Sequence, residues 1–145
     1  MTAKTVPAGY HTVTPYLTVQ GATELIEFLK QAFEAREKER FLRPDGKVGH
    51  AEVWIGDSII MLGEPKGAEA PIPGAFYLYV TDADTVYQQA LAAGAASVME
   101  PADQFWGDRQ GGVRDRFGNL WWLATRIEEV DGEELMRRMA ACCSK

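Results

Sequence analysis

A repeat with an offset of 61 residues is the feature that most constrains how this chain can fold. The shift places Tyr-Leu-Thr-Val at 16–19 on Tyr-Leu-Tyr-Val at 77–80, and Ile-Ile-Met-Leu at 59–62 on Leu-Trp-Trp-Leu at 120–123. It also aligns the apolar positions of the helical pattern that follows each first segment. One register that carries through a strand, a helix and a later strand indicates an internal duplication.

Hydrophobic periodicity predicts the same order of elements in both halves: a strand, a helix and three strands. The predicted strands are 11–19, 37–42, 48–55, 58–62, 75–80, 97–100, a strand ending at 115, and 120–125, and the predicted helices are 21–33, 82–93 and one that begins near 131. The fold class is therefore α+β, with tandem βαβββ modules at about 8–64 and 74–126. They would form one domain over 8–128, and 129–145 would be a C-terminal helix and tail.

Strand alternation assigns side chains to the two faces of each sheet. We expect Val13, Leu17 and Val19 to pack under the first helix, and Phe76, Leu78 and Val80 under the second. The opposite faces of the two sheets are expected to form a cup lined mostly by rings. The predicted cup residues are Thr14, Tyr16, His50, Glu52, Trp54, Ile59, Met61, Ala75, Tyr77, Tyr79, Leu120 and Trp122.

The charge balance limits the classes of partner. Fifteen basic residues stand against 21 acidic ones, for a net charge of −6, which argues against nucleic acid or an anionic membrane as the main partner. The sequence has no apolar run of membrane-spanning length, and its first residues lack the apolar core of a signal peptide. We therefore expect a soluble cytoplasmic protein.

Several motifs resemble those of the vicinal oxygen chelate superfamily, the glyoxalase/bleomycin-resistance/dioxygenase fold. The stretches His-Thr-Val-Thr-Pro-Tyr-Leu at 11–17, His-Ala-Glu-Val-Trp-Ile-Gly-Asp-Ser at 50–58 and Asp-Gln-Phe-Trp-Gly-Asp-Arg at 103–109 are similar to its PhnB-like branch. Asp-Arg-Phe-Gly-Asn-Leu-Trp at 115–121 resembles the hairpin of the superfamily. The resemblance implies paired βαβββ modules forming a cup-shaped mixed sheet, and a symmetric homodimer.

The resemblance also implies four metal-ligand positions, which fall near Thr14, Met61, Ala75 and Trp122. Divalent cations of the expected kinds bind imidazole and carboxylate groups, and none of these four side chains supplies one. The sequence therefore predicts no metal and no cofactor at the family site.

His50 and Glu52 are two residues apart on a predicted strand, so their side chains share one face. They are candidate catalytic residues, as a general base or an off-position metal pair. The alternative is a hydrogen bond across the sheet with no role in chemistry.

The remaining candidates are ligand-binding residues. Arg109, expected in a loop at the cup rim, could hold an anionic or carbonyl group. The alternative is that Asp108 and Arg109 pair elsewhere to fix the loop, or lie in a dimer contact. The predicted ligand-binding set is Tyr16, Trp54, Met61, Tyr77, Tyr79, Trp106, Arg109 and Trp122. The rings could stack on a flat molecule, although aromatic residues in strands are often only core.

Two classes of function follow. The first is a metal-free protein that binds a planar, partly apolar small molecule, as drug-sequestering members of the superfamily do. The second is an enzyme of lyase, isomerase or dioxygenase type that uses His50 and Glu52.

Overall fold

The computed structural model describes residues 2–143 and divides into two compact units, with the boundary between Gly74 and Ala75. Met1 and tail residues 144–145 lie outside the described residues. The first unit contains β1 Tyr16–Thr18, α1 Ala22–Phe33, β2 Arg36–Leu42, β3 Val48–Ile55 and β4 Ser58–Gly63. The second contains β5 Ala75–Tyr79, α2 Ala83–Ala92, β6 Ala96–Asp103, β7 Asp108–Arg114, β8 Leu120–Arg126 and α3 Gly132–Cys143.

Each unit builds one four-stranded mixed sheet, and the two sheets have the same topology. The strand orders are β1-β4-β3-β2 and β5-β8-β7-β6. In the first sheet β1 is parallel to β4, and Tyr16 is the strand partner of Met61. In the second sheet β5 is parallel to β8, and Tyr77 is the strand partner of Trp122. These pairs are related by the same 61-residue offset, so the predicted α+β fold of tandem βαβββ modules is confirmed. The exact domain bounds stay a prediction.

The apolar stripe of α1 forms the core of the first unit against one face of its sheet. Leu25, Ile26 and Leu29 of the helix are fully buried, as are Val53 and Leu62 of the strands. The i, i+1, i+4 spacing of the helical residues places them on one side, as predicted from the sequence. Each such side chain contributes about 1.5–3 kcal/mol by leaving water.

In the second unit, Trp121 is the largest fully buried side chain. Its ring stacks on Phe76 at a centroid distance of 4.5 Å, and its Nε1 donates to Asp115 Oδ2 at 2.8 Å. Asp115, itself buried, also accepts from the backbone nitrogens of Phe117 and Asn119 and from the Asn119 side chain. The Asp115 carboxylate thus joins the β7–β8 turn to the core.

The predicted strand at 11–19 was wrong over its first half, since β1 contains only Tyr16–Thr18. Val13 is 81% exposed and does not pack under α1. Pro15 explains the late start, because proline has no N–H for a strand ladder and restricts the residue before it. The predicted linker at 64–74 also contributes structure, since Ile72 N donates to Thr18 O at 2.8 Å.

Within residues 2–143, no helix combines the length and the hydropathy that crossing a bilayer requires.

Candidate functional site

In each unit, the sheet face opposite its helix carries the candidate site residues. In the first unit they form a polar cluster, and in the second an aromatic cluster. The polar cluster consists of Tyr10, Tyr16, Lys38, Glu39, His50 and Glu52. The aromatic cluster consists of Tyr77, Tyr79, Trp106, Asp108, Trp122 and Arg126.

A chain of hydrogen bonds organises the polar cluster around Glu52, which is only 4% exposed. His50 Nε2 lies 2.7 Å from Glu52 Oε2, and Tyr16 Oη lies 3.2 Å from His50 Nδ1. The Tyr10 hydroxyl donates to Glu52 Oε1. The predicted proximity of His50 and Glu52 is therefore present, and two tyrosines extend it at both ends.

Glu52 is the anionic centre of this chain. Burial raises the pKa of Glu52, but the hydrogen bonds from Tyr10 and His50 and the charge of Lys38 outweigh burial, so its pKa lies below the usual value. The hydrogen bond to Glu52 raises the pKa of Tyr10, which therefore remains the donor. Because an ionised carboxylate only accepts, His50 Nε2 is the donor in its contact with Glu52, and the ring turns its other nitrogen, Nδ1, toward Tyr16 Oη.

Glu39 joins His50 and Glu52 in a group that could hold a cation. The three side chains each offer one ligand atom, and these atoms all lie within 4.8 Å of one another. Sequence reasoning did not select Glu39. No sequence signal identified it, because the pairing of Glu39 with Glu52 depends on a register shift in the β2–β3 hairpin.

The four positions at which the resemblance implies metal ligands do not fit a divalent cation. Thr14 precedes β1, and Ala75 has no ligand atom on its side chain. The Trp122 ring lies so close over Gly112 that a Cβ added there would be 2.5 Å from Trp122 Cζ3. The Trp122 ring, which lies flat against the sheet, therefore places apolar surface where the resemblance implies a metal ligand.

Asp108 holds the aromatic cluster together from a fully buried position. Its Oδ2 accepts from Tyr77 Oη at 2.7 Å, from Tyr79 Oη at 3.1 Å and from Trp106 Nε1 at 3.2 Å. Its Oδ1 lies 2.9 Å from Arg126 Nε in an ion pair that lacks hydrogen-bond alignment. One carboxylate therefore fixes three aromatic side chains and neutralises a neighbouring cation.

The rings of this cluster remain accessible although their polar ends are held. Tyr77 is 39% exposed and Tyr79 is 61% exposed, with ring centroids 5.4 Å apart. Burial and the hydrogen bond to Asp108 raise the pKa of Tyr77 to about 12. Tyr77 is therefore neutral at physiological pH and presents an uncharged aromatic ring.

Arg109 lies elsewhere, and its predicted position in a rim loop was wrong. It is in β7, and its pairing with Thr125 places it on the face that α2 covers. Its guanidinium contacts Asp84 of α2 at 2.6 and 3.0 Å and Asp103 at 3.0 Å. These partners raise the pKa of Arg109, first Asp84 and then Asp103. Its role as a ligand clamp stays a prediction, and the contacts are those of the alternative in which Arg109 fixes local structure.

The other predicted binding residues lie on the expected faces within their own units. Met61 is the strand partner of both Tyr16 and Glu52, and Trp54 is half-buried near Gly9. Sequence reasoning missed Arg126 and the central role of Asp108. The hairpin register carried the signal, because the turn at 116–119 brings Asp108 opposite Arg126.

Comparison with known proteins assigns the family. A family model for the Glyoxalase/Bleomycin resistance protein/Dioxygenase superfamily matches residues 10–123. The uncharacterized protein Mb0911c of Mycobacterium bovis is 37% identical over 140 residues, which cover 89% of this chain and 92% of the relative.

Solved structures share the fold. TioX from Micromonospora sp. ML1 superposes with a TM-score of 0.68 at 25% identity, covering 81% of this chain and 99% of TioX. A PhnB protein from Bacillus cereus, a putative 3-demethylubiquinone-9 3-methyltransferase, has a TM-score of 0.58 at 19% identity, covering 79% and 99% of the two chains. The second likeness shows the fold alone. The duplicated modules, their sheet topology and the match over 10–123 together establish that this chain belongs to the glyoxalase/bleomycin resistance/dioxygenase superfamily.

Proposed function

We propose that this protein binds a planar, partly apolar small molecule by stacking it on the aromatic cluster of the second sheet. The observation that carries the proposal is the set of accessible rings whose orientations are fixed from behind. Asp108 holds Tyr77 and Tyr79 by their hydroxyl groups, and Gly112 gives the Trp122 ring a flat seat.

Fixed rings favour binding because their ordering cost is met before the ligand arrives. A stacked aromatic pair contributes about 0.5–1.5 kcal/mol beyond the area it buries, and three rings can contact one flat ligand. Accessible aromatic groups on a sheet face are also a common mark of a ligand surface. Membership of a superfamily whose description includes bleomycin resistance supports drug sequestration as one form of this function.

A thermal-shift screen followed by fluorescence titration tests the proposal. Bleomycin and a panel of planar polycyclic aromatic compounds serve as probes, and a true ligand raises the melting temperature by mass action. Trp122→Ala should weaken binding of that ligand by about 1–3 kcal/mol, or roughly 5- to 150-fold, the scale of a lost buried aromatic contact.

The matched control is Trp121→Phe, the neighbouring tryptophan on the helix-covered face. It should lower stability and leave ligand affinity within about twofold, since its side chain is fully buried. The proposal would be refuted if Trp122→Ala bound the ligand as tightly as the wild-type protein. It would also be refuted if only Trp121→Phe, while still folded, lost binding.

A second candidate function is acid–base catalysis by the polar cluster, and the chain from Tyr16 through His50 to Glu52 favours it. A carboxylate that fixes the tautomer of an imidazole is a common way to orient a general base. A substrate that binds at the polar cluster should then be converted, with the product visible by mass spectrometry. His50→Gln should abolish conversion without loss of binding, and ligands recovered unchanged from wild-type protein would leave only the binding function.

A further inference from the structure

We infer that Glu39, His50 and Glu52 form a divalent-cation site in the first unit, and that the Lys38 ammonium group competes with the cation for the two carboxylates. The site differs from the four positions implied by the family, where no metal is expected. It is also independent of the aromatic cluster, so either proposal can fail without the other.

Two paired strands hold the three ligands. Glu39 of β2 is the direct strand partner of Glu52 of β3, and His50 is two residues from Glu52 on the same face. The ligand atoms lie within 4.8 Å of one another. Tetrahedral coordination with metal–ligand bonds of about 2.0–2.2 Å places ligand atoms about 3.4 Å from one another, so closure around an ion needs changes of up to about 1.4 Å in the distances between them.

The site already attracts a positive charge. Two carboxylates directly opposite on neighbouring strands repel each other. Lys38 Nζ offsets this repulsion from 3.7 Å from Glu39 Oε1 and 3.7 Å from Glu52 Oε1. A register shift between Glu37 and Glu39 leaves Lys38 unpaired in the ladder, which lets its side chain reach the same cluster as Glu39.

Lys38 can leave without harm to the core. Its side chain is 31% exposed, and its ammonium group also lies 5.3 Å from the centroid of the Tyr10 ring. An entering dication supplies twice the charge at the same place. The Lys38 ammonium would then move into solvent, while the backbone of β2 stays in place.

The ligand set selects the class of cation. One imidazole nitrogen and two carboxylate oxygens suit borderline and hard ions such as Zn²⁺ and Mn²⁺. The ion takes the place of the proton that His50 Nε2 shares with Glu52 Oε2. In the tautomer with its proton on Nδ1, His50 presents Nε2 to the ion, and Nδ1 can donate to the Tyr16 oxygen. The Tyr10 hydroxyl continues to donate to the other Glu52 oxygen, which orients the carboxylate toward the ion.

Calorimetric titration of chelator-treated, full-length protein with Zn²⁺ and Mn²⁺ tests the site. We expect one ion per chain, with affinity reduced about tenfold or more in Glu39→Gln and in His50→Asn. Lys38→Met should instead raise the affinity several-fold, because it removes the competing ammonium. X-ray absorption of the zinc form should show one imidazole ligand.

His11→Asn is the matched control, since His11 is the other histidine of the chain and is exposed. Its affinity should equal that of the wild-type protein. Circular dichroism of every variant establishes that each is folded before titration. No saturable binding, unchanged affinity in folded His50→Asn, or weaker binding in Lys38→Met would each overturn the proposal.

Discussion

Replacing Asp108 by asparagine tests how the aromatic cluster is held. The substitution keeps the size of the side chain but replaces the carboxylate, whose Oδ2 atom accepts hydrogen bonds from Tyr77, Tyr79 and Trp106, with a neutral amide. Burial and Asp108 together raise the pKa of Tyr77 to about 12, and burial is the larger cause. Asp108→Asn should therefore lower this pKa only part of the way toward the ordinary value of about 10.

The raised pKa also has a consequence for stability. The folded protein holds the phenol proton more tightly than the unfolded chain, so this contribution is complete below about pH 10 and is lost as the pH rises through about 12. Two pKa units correspond to about 2.7 kcal/mol at most. Because Tyr77 is 39% exposed, solvent screening reduces this to about 1 kcal/mol.

Two measurements check the prediction. A spectrophotometric titration of tyrosinate, taken as the difference between wild-type protein and Tyr77→Phe, isolates Tyr77 from the other four tyrosines. Urea unfolding across the same alkaline range should show that wild-type protein loses about 1 kcal/mol more than Tyr77→Phe. Arg126 is accessible to water, so Asp108→Asn should remain folded in neutral buffer.

The reasoning is refuted if the Tyr77 titration is the same in Asp108→Asn as in the wild-type protein. Asp108 would then not be the acceptor that fixes the ring. Ligand affinity provides a second readout, because released rings must be ordered again on binding. We expect Asp108→Asn to weaken any stacked ligand while Trp121→Phe does not.

Three further predictions concern the hairpin, the ring seat and the assembly. Asp115→Asn should lower the free energy of unfolding by about 2–4 kcal/mol in urea titrations, because an amide group would face the buried Trp121 Nε1 donor; a loss below about 1 kcal/mol would contradict this. Gly112→Ala should tilt the Trp122 ring, whose Cζ3 atom would lie 2.5 Å from the added Cβ, and change its fluorescence at a stability cost of about 1 kcal/mol. Light scattering at micromolar concentration should give a homodimer, and a monomer mass near 16.1 kDa would exclude it.

Much of the fold could be predicted because it depends on patterns that are local or repeated. The 61-residue offset gave the equivalence of Tyr16 and Tyr77, and strand alternation separated Trp121 from Trp122. The strand at 11–19 was wrong in its first half because a polar–apolar alternation continues through Pro15, which has no N–H to donate to a strand ladder.

The sites were predicted less completely because their members come from distant parts of the chain. Alternation places His50 and Glu52 together without any knowledge of the fold. Arg109 was misplaced because the sequence analysis expected it in a loop, with no start given for the strand that follows. It lies in β7, where strand alternation turns its side chain toward Asp84.

The sequence by itself determined the duplication, the faces of the sheets and the presence of Trp122 at a position where the resemblance implies a metal ligand, because periodicity and residue type settle these locally. Only the tertiary structure decided which acidic residues lie at the centres of the two clusters. Asp108 becomes the centre of the aromatic cluster because β5, β7 and β8 bring Tyr77, Tyr79 and Arg126 to it. Glu39 reaches Glu52 because the shifted register of β2 sets it there, and such pairings across strands depend on packing that no local pattern encodes.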